Sequence, residues 1–307
     1  MRDLKIDGLK FIMIYCVVLG HLVYNDYGLL LNQIIYAFHM PVFVFISGYV
    51  TSIKSDYYHH LSWLKKTIIV YFIAQLLHLL YSYLLGYHIT WHSLFHPAIA
   101  MWYIVCLIIW RFLIWSIFKK TKDFNLFIFS ICLAFLSGFV PIDDEFSFQR
   151  AFAFFPFFVA GVILNRKNLM GKLEKIPLLY TVIVLLIGMV VARFIPQYYM
   201  PHLHYEDWND PLTRIVQTSI AFVLCFTIVR LSRTEMIERL AGYGKYTLWI
   251  FIGHTFLVRE NLLENLLYDN LGYELKILDA QVVCVIYCFI FIGLAKVYNR
   301  FKVSLLH

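Results

Sequence analysis

Residues 7–21, Asp-Gly-Leu-Lys-Phe-Ile-Met-Ile-Tyr-Cys-Val-Val-Leu-Gly-His, combine a long apolar run with two ionisable side chains. Lys10 opens the run, and His21 follows after ten further residues. At a rise of about 1.5 Å per helical residue, the two lie about 16 Å apart along one helix. This spacing predicts a cation near a membrane face and an imidazole near the middle of the bilayer. Because an ionisable group inside a membrane helix is costly, His21 is predicted to be functional.

The whole chain has the composition of an integral membrane protein. Of its 307 residues, 61% are hydrophobic, 19% are aromatic and only 15% are charged, whereas a soluble domain carries about 25% charged residues. The first apolar run lacks a small-residue cleavage site, so we expect it to remain as a span. The net charge of +7 is spread over short loops, which argues against nucleic acid as a partner. All six cysteines lie inside apolar runs, so no disulfide framework is expected.

Apolar runs of about 17–25 residues predict one all-α domain over residues 1–307, a polytopic bundle of about ten membrane helices. The predicted spans are 8–25, 33–50, 67–86, 99–118, 124–141, 149–165, 177–195, 212–230, 246–263 and 277–298. The loops alternate between a basic set and an acidic or neutral set, and basic loops are typically cytoplasmic. Both termini are therefore predicted to be cytoplasmic.

Two histidines inside apolar runs are candidates for chemistry. A neutral imidazole such as that of His21 can take the proton of a hydroxyl that attacks an acyl carbon, a role typically worth about 10²–10⁴-fold in rate. His39 lies in the segment Phe38-His39-Met40-Pro41, where the proline frees a backbone carbonyl. The alternative for both is a packing histidine bonded to a backbone carbonyl. For Lys10 the alternative is a surface lysine that snorkels to the membrane interface.

Arg111, Arg150 and Trp102 are further candidates within spans. An arginine there usually faces the bundle interior or a cavity, so each arginine is predicted to contact substrate or phosphate, or else to form a structural ion pair. Trp102 either stacks on a sugar or an adenine, or belongs to the interfacial aromatic belt. The histidines of residues 88–96 have a spacing of four, but their polar surroundings favour a surface segment. No metal site is expected.

Taken together, these motifs resemble those of the bacterial acyltransferase-3 membrane family, especially its fucose 4-O-acetylase-like branch. The first helix of that family carries Arg or Lys, then ten residues, then His, and residues 38–49 look like its second-helix motif. Further matching segments follow in the expected order: Trp102-Tyr103-Ile104 with Leu107; Arg150 with Phe155-Pro156-Phe157-Phe158 and Gly161; and Tyr243-Gly244-Lys245-Tyr246-Thr247-Leu248 leading to His254.

The resemblance implies an O-acetyltransferase in the bacterial inner membrane. An acetyl or other short acyl group would pass from cytoplasmic acyl-CoA, the co-substrate, to a hydroxyl of a cell-surface polysaccharide or a lipid-linked sugar. His21 becomes the base or the acyl-handling residue, and Lys10 stabilises negative charge on the donor. The predicted partners are acyl-CoA, the glycan and the lipid bilayer, and a homo-oligomer stays open. The predicted substrate pocket contains His39, Trp102, Arg150 and His254.

The third helix departs from the family pattern. The family often has a paired-arginine motif there that ends in proline and is attributed to coenzyme A binding. Here residues 63–71 carry Lys65 and Lys66 in place of the arginines, and the segment has no proline. Lysine can hold a phosphate as a point charge, although without the bidentate fork of arginine. We therefore predict that Lys65, Lys66 and Arg111 bind the acyl donor, while plain anchoring at the cytoplasmic face is the alternative for the lysines.

Two other classes of function stay open on the sequence. The intramembrane histidines, lysine and arginines would also suit a polysaccharide or glycolipid exporter or transporter of the same family. A membrane scaffold for a glycan-synthesis complex would tolerate loss of His21.

Overall fold

The computed structural model describes residues 3–23, 29–51, 57–141, 147–194, 202–257 and 276–304. Every regular element in these ranges is helical, which confirms the predicted all-α class. The helices are α1 (Leu4–Leu22), α2 (Leu29–Tyr49), α3 (Tyr57–Leu84), α4 (Trp91–Phe95), α5 (Trp102–Ser116), α6 (Asp123–Leu136), α7 (Phe148–Arg166), α8 (Met170–Glu174), α9 (Leu178–Ala192), α10 (Asp210–Leu231), α11 (Glu235–Glu238), α12 (Ala241–Gly244), α13 (Thr247–Leu257) and α14 (Ile277–Ser304). Two 3₁₀ turns, Ile99–Met101 and Ser137–Phe139, extend α5 and α6.

Among the described residues, five helices are long and apolar enough to cross a membrane, by length and composition. They are Leu30–Tyr49, Tyr57–Leu84, Phe148–Arg166, Asp210–Leu231 and Ile277–Arg300. Four shorter apolar helices lie in α5, α6, α9 and α13 and overlap four further predicted spans, while α1 overlaps the first. The ends of three predicted spans, at 24–25, 195 and 258–263, lie outside the described residues. The count of ten membrane helices and the side of the termini stay predictions.

Several helix starts follow local sequence signals. The Asp3 carboxylate accepts hydrogen bonds from the backbone N–H groups of Lys5 and Ile6, at 3.1 and 3.2 Å, and so caps α1. Pro177 directly precedes α9, and Pro211 lies in the first turn of α10. Proline is tolerated there because the N–H it lacks would have no helical partner.

Helices α2 and α7 form the centre of the bundle, where their backbones touch. A Cβ atom on Gly48 would lie 2.0 Å from the Phe158 carbonyl oxygen, and one on Gly161 would lie 2.0 Å from the Phe45 carbonyl oxygen. Small residues permit such close approach in membrane proteins, where helices associate through packing rather than through the hydrophobic effect. Most of α7 is accordingly buried on all sides.

Helices α3 and α14 form part of the periphery. They expose many large apolar side chains, including Ile69, Phe72, Leu76, Leu80, Leu278, Val282 and Phe289. Exposed apolar surface of this extent is rare on a soluble monomer. It is the surface that lipid tails cover on a membrane helix.

A small ionic network joins the start of α1 to two connecting segments. Arg233 Nη1 donates to both Asp3 carboxylate oxygens at 2.9 Å, and Arg233 Nε donates to Glu174 at 2.6 Å. The same end of α1 is covered by α11, because a Cβ on Gly8 would lie 2.0 Å from the Ile237 carbonyl oxygen. The network therefore fixes α1 against the ends of α8 and α10.

We predict that Gly161→Ala destabilises the protein, because the new methyl group has no room against the α2 backbone. Overpacking of this kind costs about 1–3 kcal/mol, and the rigid neighbour places this site at the upper end. The matched control is Gly293→Ala in α14, where a Cβ meets nothing within 4 Å. Thermal unfolding in detergent should show a lower midpoint for the first variant only. Equal midpoints for both variants would contradict the close contact.

Candidate active site

His21 lies in the last turn of α1, which ends one residue later at Leu22. Its ring faces the middle of α2, because Tyr36 and His39 are the eighth and eleventh of the 21 residues in that helix. His21 Nδ1 lies 3.5 Å from the Tyr36 hydroxyl oxygen, and the two ring centroids are 6.2 Å apart. His21 taken as a whole residue is partly exposed.

The end of α1 can approach α2 because residue 20 is glycine. A Cβ atom on Gly20 would lie 3.0 Å from Ile35 Cγ2 and 3.3 Å from the Tyr36 ring. The Asn32 side chain donates a hydrogen bond of 2.8 Å to the Gly20 carbonyl. That carbonyl is one of those that the end of a helix leaves without a helical partner. Gly20 and Asn32 therefore hold His21 against Tyr36.

His39 is buried in the middle of α2. The hydrogen bond of its ring to a backbone carbonyl shows which ring nitrogen carries the hydrogen. Its Nδ1 lies 2.8 Å from the Ile35 carbonyl oxygen. Because a carbonyl can only accept, Nδ1 carries the hydrogen and Nε2 carries the lone pair. The His39 ring centroid is 4.8 Å from that of Tyr36. Two residues on, Pro41 has no N–H, so the Ala37 carbonyl lacks its partner in the helix.

His254 brings another imidazole to the same place from α13. Its ring centroid lies 5.5 Å from that of His21, with 37° between the ring planes. The side chain is fully buried, and Nδ1 lies 2.5 Å from the Phe251 carbonyl oxygen. Within the described ranges, Nε2 has no hydrogen-bond partner. The structure therefore brings together two of the predicted site residues that are far apart in the chain.

Tyr103 extends this cluster towards α5. Its hydroxyl oxygen lies 2.5 Å from Ser47 Oγ, and Ser47 donates its own hydrogen to the Phe43 carbonyl at 2.9 Å. Tyr103 is therefore the donor to Ser47. The Tyr103 ring also meets the Phe251 ring of α13, with centroids 5.4 Å apart. The second, fourth and ninth predicted spans thus meet around one tyrosine.

Trp102 and Arg150, two residues of the predicted substrate pocket, contact each other. The Arg150 guanidinium carbon lies 5.6 Å from the centroid of the Trp102 ring. Trp102 stacks on Phe154 of α7 at 5.5 Å and meets the edge of Tyr103 at 6.3 Å. Because Tyr103 contacts α13, a continuous series of ring contacts runs from Arg150 to His254.

A buried cation lies at the same end of the bundle as Arg150, which is itself partly buried. Arg214, near the start of α10, is 3% exposed and donates hydrogen bonds to the carbonyls of Ala134 and Leu203. Burial and the nearby guanidinium groups of Arg150 and Arg214 lower the pKa of His202 to about 3. That imidazole, in the segment before α10, is therefore neutral at physiological pH. The guanidinium groups of Arg150 and Arg214 thus both lie near this imidazole.

Lys10 lies near the other end of α1, three helical turns before His21. Its Nζ atom is 3.1 Å from Asp7 Oδ1, and the Asp7 side chain is buried. Helix α12 covers this pair, because a Cβ on Gly244 would lie 2.1 Å from the Asp7 carbonyl oxygen. Lys10 and His21 are thus separated by about 16 Å of helix and do not contact each other.

Arg111 contacts the third helix beside the predicted lysines. Its guanidinium carbon lies 3.7 Å from the centroid of the Trp63 ring. Arg111 Nε and, one turn later, Trp115 Nε1 are buried, and neither has a hydrogen-bond partner in the described part of the chain. Lys65 and Lys66 follow Trp63 on α3 and are exposed. Donors without acceptors beside these cations would suit a ligand rich in phosphate oxygens.

Three residues of these clusters have weak sequence signals. Tyr36 stands three residues before His39, a spacing that places both on one helix face. Trp115 stands four residues after Arg111, and Arg214 is a cation inside the predicted span 212–230. Each signal is common in membrane helices, so only the packing identifies these side chains.

In the ranges given above, no group of three or more His, Cys, Asp or Glu side chains could hold a metal ion. The imidazoles of His39 and His254 instead each donate a hydrogen to a backbone carbonyl.

Comparison with known proteins identifies the family. The model of the acyltransferase domain, acyltransferase 3, matches residues 3–301, which include every predicted site residue. No curated protein and no solved structure matches the chain. The apolar helices agree with a multi-pass membrane protein. The chain belongs to the acyltransferase-3 family of membrane acyltransferases.

Proposed function

We propose that the protein is a bacterial inner-membrane O-acyltransferase. It would move an acetyl or another short acyl group from cytoplasmic acyl-CoA to a hydroxyl of a cell-surface polysaccharide or of its precursor. The observation that carries this proposal is the His21 imidazole, which lies inside the bundle beside Tyr36 and His254. Membership of an acyltransferase family supports the reaction class.

In the proposed mechanism, His21 is the general base. The mechanism uses the tautomer in which Nδ1, which faces the Tyr36 hydroxyl, carries the hydrogen and Nε2 carries the lone pair. Nε2 takes the proton of the acceptor hydroxyl while the hydroxyl oxygen bonds to the thioester carbonyl carbon. The carbon–sulfur bond then breaks, and the departing sulfur takes the proton from the imidazolium. The products are the ester and free coenzyme A, and His21 returns to its neutral form. Such a base is typically worth about 10²–10⁴-fold in rate.

The phosphates of the acyl-CoA donor are expected to bind to cations that lie at a distance from His21. Lys10 is about 16 Å from His21 along α1, and coenzyme A separates its phosphates from its thioester by a long flexible arm. Arg111, with its buried Nε, and the exposed lysines Lys65 and Lys66 offer charge for the phosphates. Trp63, which already stacks on Arg111, offers a flat surface for a base ring. This arrangement supports a donor that reaches inward from one face.

The acceptor is expected to bind on the side of the site that Trp102 and Arg150 line. An indole ring suits the apolar face of a sugar, and a guanidinium suits sugar hydroxyls or an acidic group. His39 lies beside Tyr36 and can contact the same sugar through Nε2. The series of ring contacts from Arg150 to His254 connects this side of the site to the ring that lies beside His21.

An exporter of an anionic glycan is the second candidate function. The observation that favours it is the pair of cations Arg150 and Arg214, one partly and one fully buried, at one end of the bundle. Such charge could guide a polyanion through the membrane. An exporter moves the glycan without changing its covalent structure, whereas the enzyme adds an acyl group.

We predict that His21→Ala abolishes transfer of labelled acetyl from acetyl-CoA to endogenous glycan in membrane vesicles. The expected loss is at least about 10²-fold, because the general base is gone. The control is His88→Ala, a histidine in the exposed segment after α3, which should label glycan at the wild-type rate.

Equal labelling in wild type and His21→Ala would remove His21 from the mechanism. If the wild type transfers no label although the native glycan is present, and glycan crosses the membrane unmodified, the exporter would replace the enzyme.

We predict that Arg111→Lys raises the KM for acetyl-CoA by about tenfold while kcat changes little. Lysine keeps the charge but loses the planar group over Trp63, and a cation–π contact is worth about 0.5–2 kcal/mol. Lys172→Ala, an exposed cation on α8, is the matched control and should leave the KM unchanged. A fall in kcat with an unchanged KM would place Arg111 outside the donor site.

A further inference from the structure

His254 has one ring nitrogen whose hydrogen-bonding needs the described protein does not meet. The side chain is 0% exposed, and Nε2 has no hydrogen-bond partner in the described ranges. A buried polar atom without a partner costs free energy, so such atoms are rare in native structures. A ligand that supplies the missing partner would therefore bind there with an advantage.

The chemical type of that partner follows from the other nitrogen. His254 Nδ1 contacts the Phe251 carbonyl oxygen at 2.5 Å, and a carbonyl can only accept. In a neutral imidazole Nδ1 therefore carries the hydrogen, and Nε2 presents a lone pair. The missing partner is a hydrogen-bond donor, and a hydroxyl is the donor that a sugar offers.

The position of that donor follows from His21. The two imidazole centroids are 5.5 Å apart, and the mechanism proposed above also leaves a lone pair on His21 Nε2. Two lone pairs cannot bond to each other, so each nitrogen needs its own O–H group. A molecule with hydroxyls on neighbouring carbons carries two such groups at short separation.

We propose that His254 Nε2 is a substrate-binding atom that selects acceptors with a vicinal diol. One hydroxyl gives its proton to His21 and becomes acylated. The neighbouring hydroxyl donates a hydrogen bond to His254, stays chemically unchanged and orients the sugar. This inference rests on the acyltransferase function proposed above and adds the class of acceptor. An alcohol with a single hydroxyl leaves Nε2 buried and unpaired, and sites of this type reject such analogues strongly.

Two substitutions separate this role from packing. His254→Asn keeps an N–H near the position of Nδ1, which can still bond to the Phe251 carbonyl, but it has no atom at the position of Nε2. His254→Gln places an amide oxygen near Nε2 and loses the bond to Phe251. If His254 serves only in packing, His254→Asn should retain more transfer activity than His254→Gln. If Nε2 is the proposed hydrogen-bond acceptor, His254→Gln should retain more of the preference for the diol.

The experiment measures labelled acetyl transfer to endogenous glycan in vesicles while soluble alcohols compete. The competitors are the two 1,2-cyclohexanediol isomers and cyclohexanol, which differ by one neighbouring hydroxyl. In wild type, at least one diol should inhibit labelling at a concentration about tenfold or more below that of cyclohexanol. In His254→Asn, labelling should fall about tenfold, the KM for acetyl-CoA should stay unchanged, and the preference for the diol should disappear. His254→Gln should retain part of that preference.

Three outcomes would overturn the inference while the acyltransferase function stands. The first is a wild type that the diol and the monoalcohol inhibit equally well. The second is a His254→Asn variant that keeps the preference for the diol. The third is complete loss of labelling in that variant at normal protein level, because His21 still supplies the base there. If His254→Asn fails to insert, the wild-type preference and the His254→Gln result still decide. Absence of labelling in wild type would instead count against the proposed function itself.

Discussion

Two glycines let the backbones of α2 and α7 touch, and the arrangement of the site depends on this contact. Gly48 faces the Phe158 carbonyl and Gly161 faces the Phe45 carbonyl, each with no space for a Cβ atom. In a membrane, helices gain little from burying apolar surface, so close packing has to hold them together. Helix α2 carries Tyr36 and His39 and packs against α1, and α7 carries Arg150. Fixing α2 against α7 therefore fixes His39 relative to Arg150.

Two histidines of the site each form a hydrogen bond to a backbone carbonyl of their own helix. His39 bonds to the carbonyl four residues before it, and His254 bonds to the carbonyl three residues before it. Each bond lies within one helix, so the helix itself sets which nitrogen carries the hydrogen. The opposite nitrogen, Nε2, then keeps a lone pair that can accept a hydrogen bond. Neither histidine needs a charged neighbour to fix which ring nitrogen carries the hydrogen in its neutral form.

The sequence predicts much of the fold because the length of each apolar run indicates where a membrane-spanning helix lies. Each predicted span overlaps a helix, and the spacing from Lys10 to His21 correctly places them far apart along α1. The position of the end of α1 at Leu22 also depends on a neighbouring helix, because Asn32 of α2 bonds to the Gly20 carbonyl there. The meeting of His21 with His254, and of Arg111 with Trp63, depends on how distant helices pack. No local pattern in one sequence records such contacts.

The separation of Lys10 and His21 also fixes an angular relation. Eleven residues at about 100° each make three full turns and about 20° more, so both side chains project from the same side of α1. One residue added or removed between them would shift the axial distance by only about 1.5 Å but would turn one side chain by about 100° relative to the other. Insertions or deletions between Lys10 and His21 should therefore be tolerated only when they add or remove whole helical turns, which keep both side chains on the same side of α1. The eleven-residue interval acts as a constraint on orientation more than on distance.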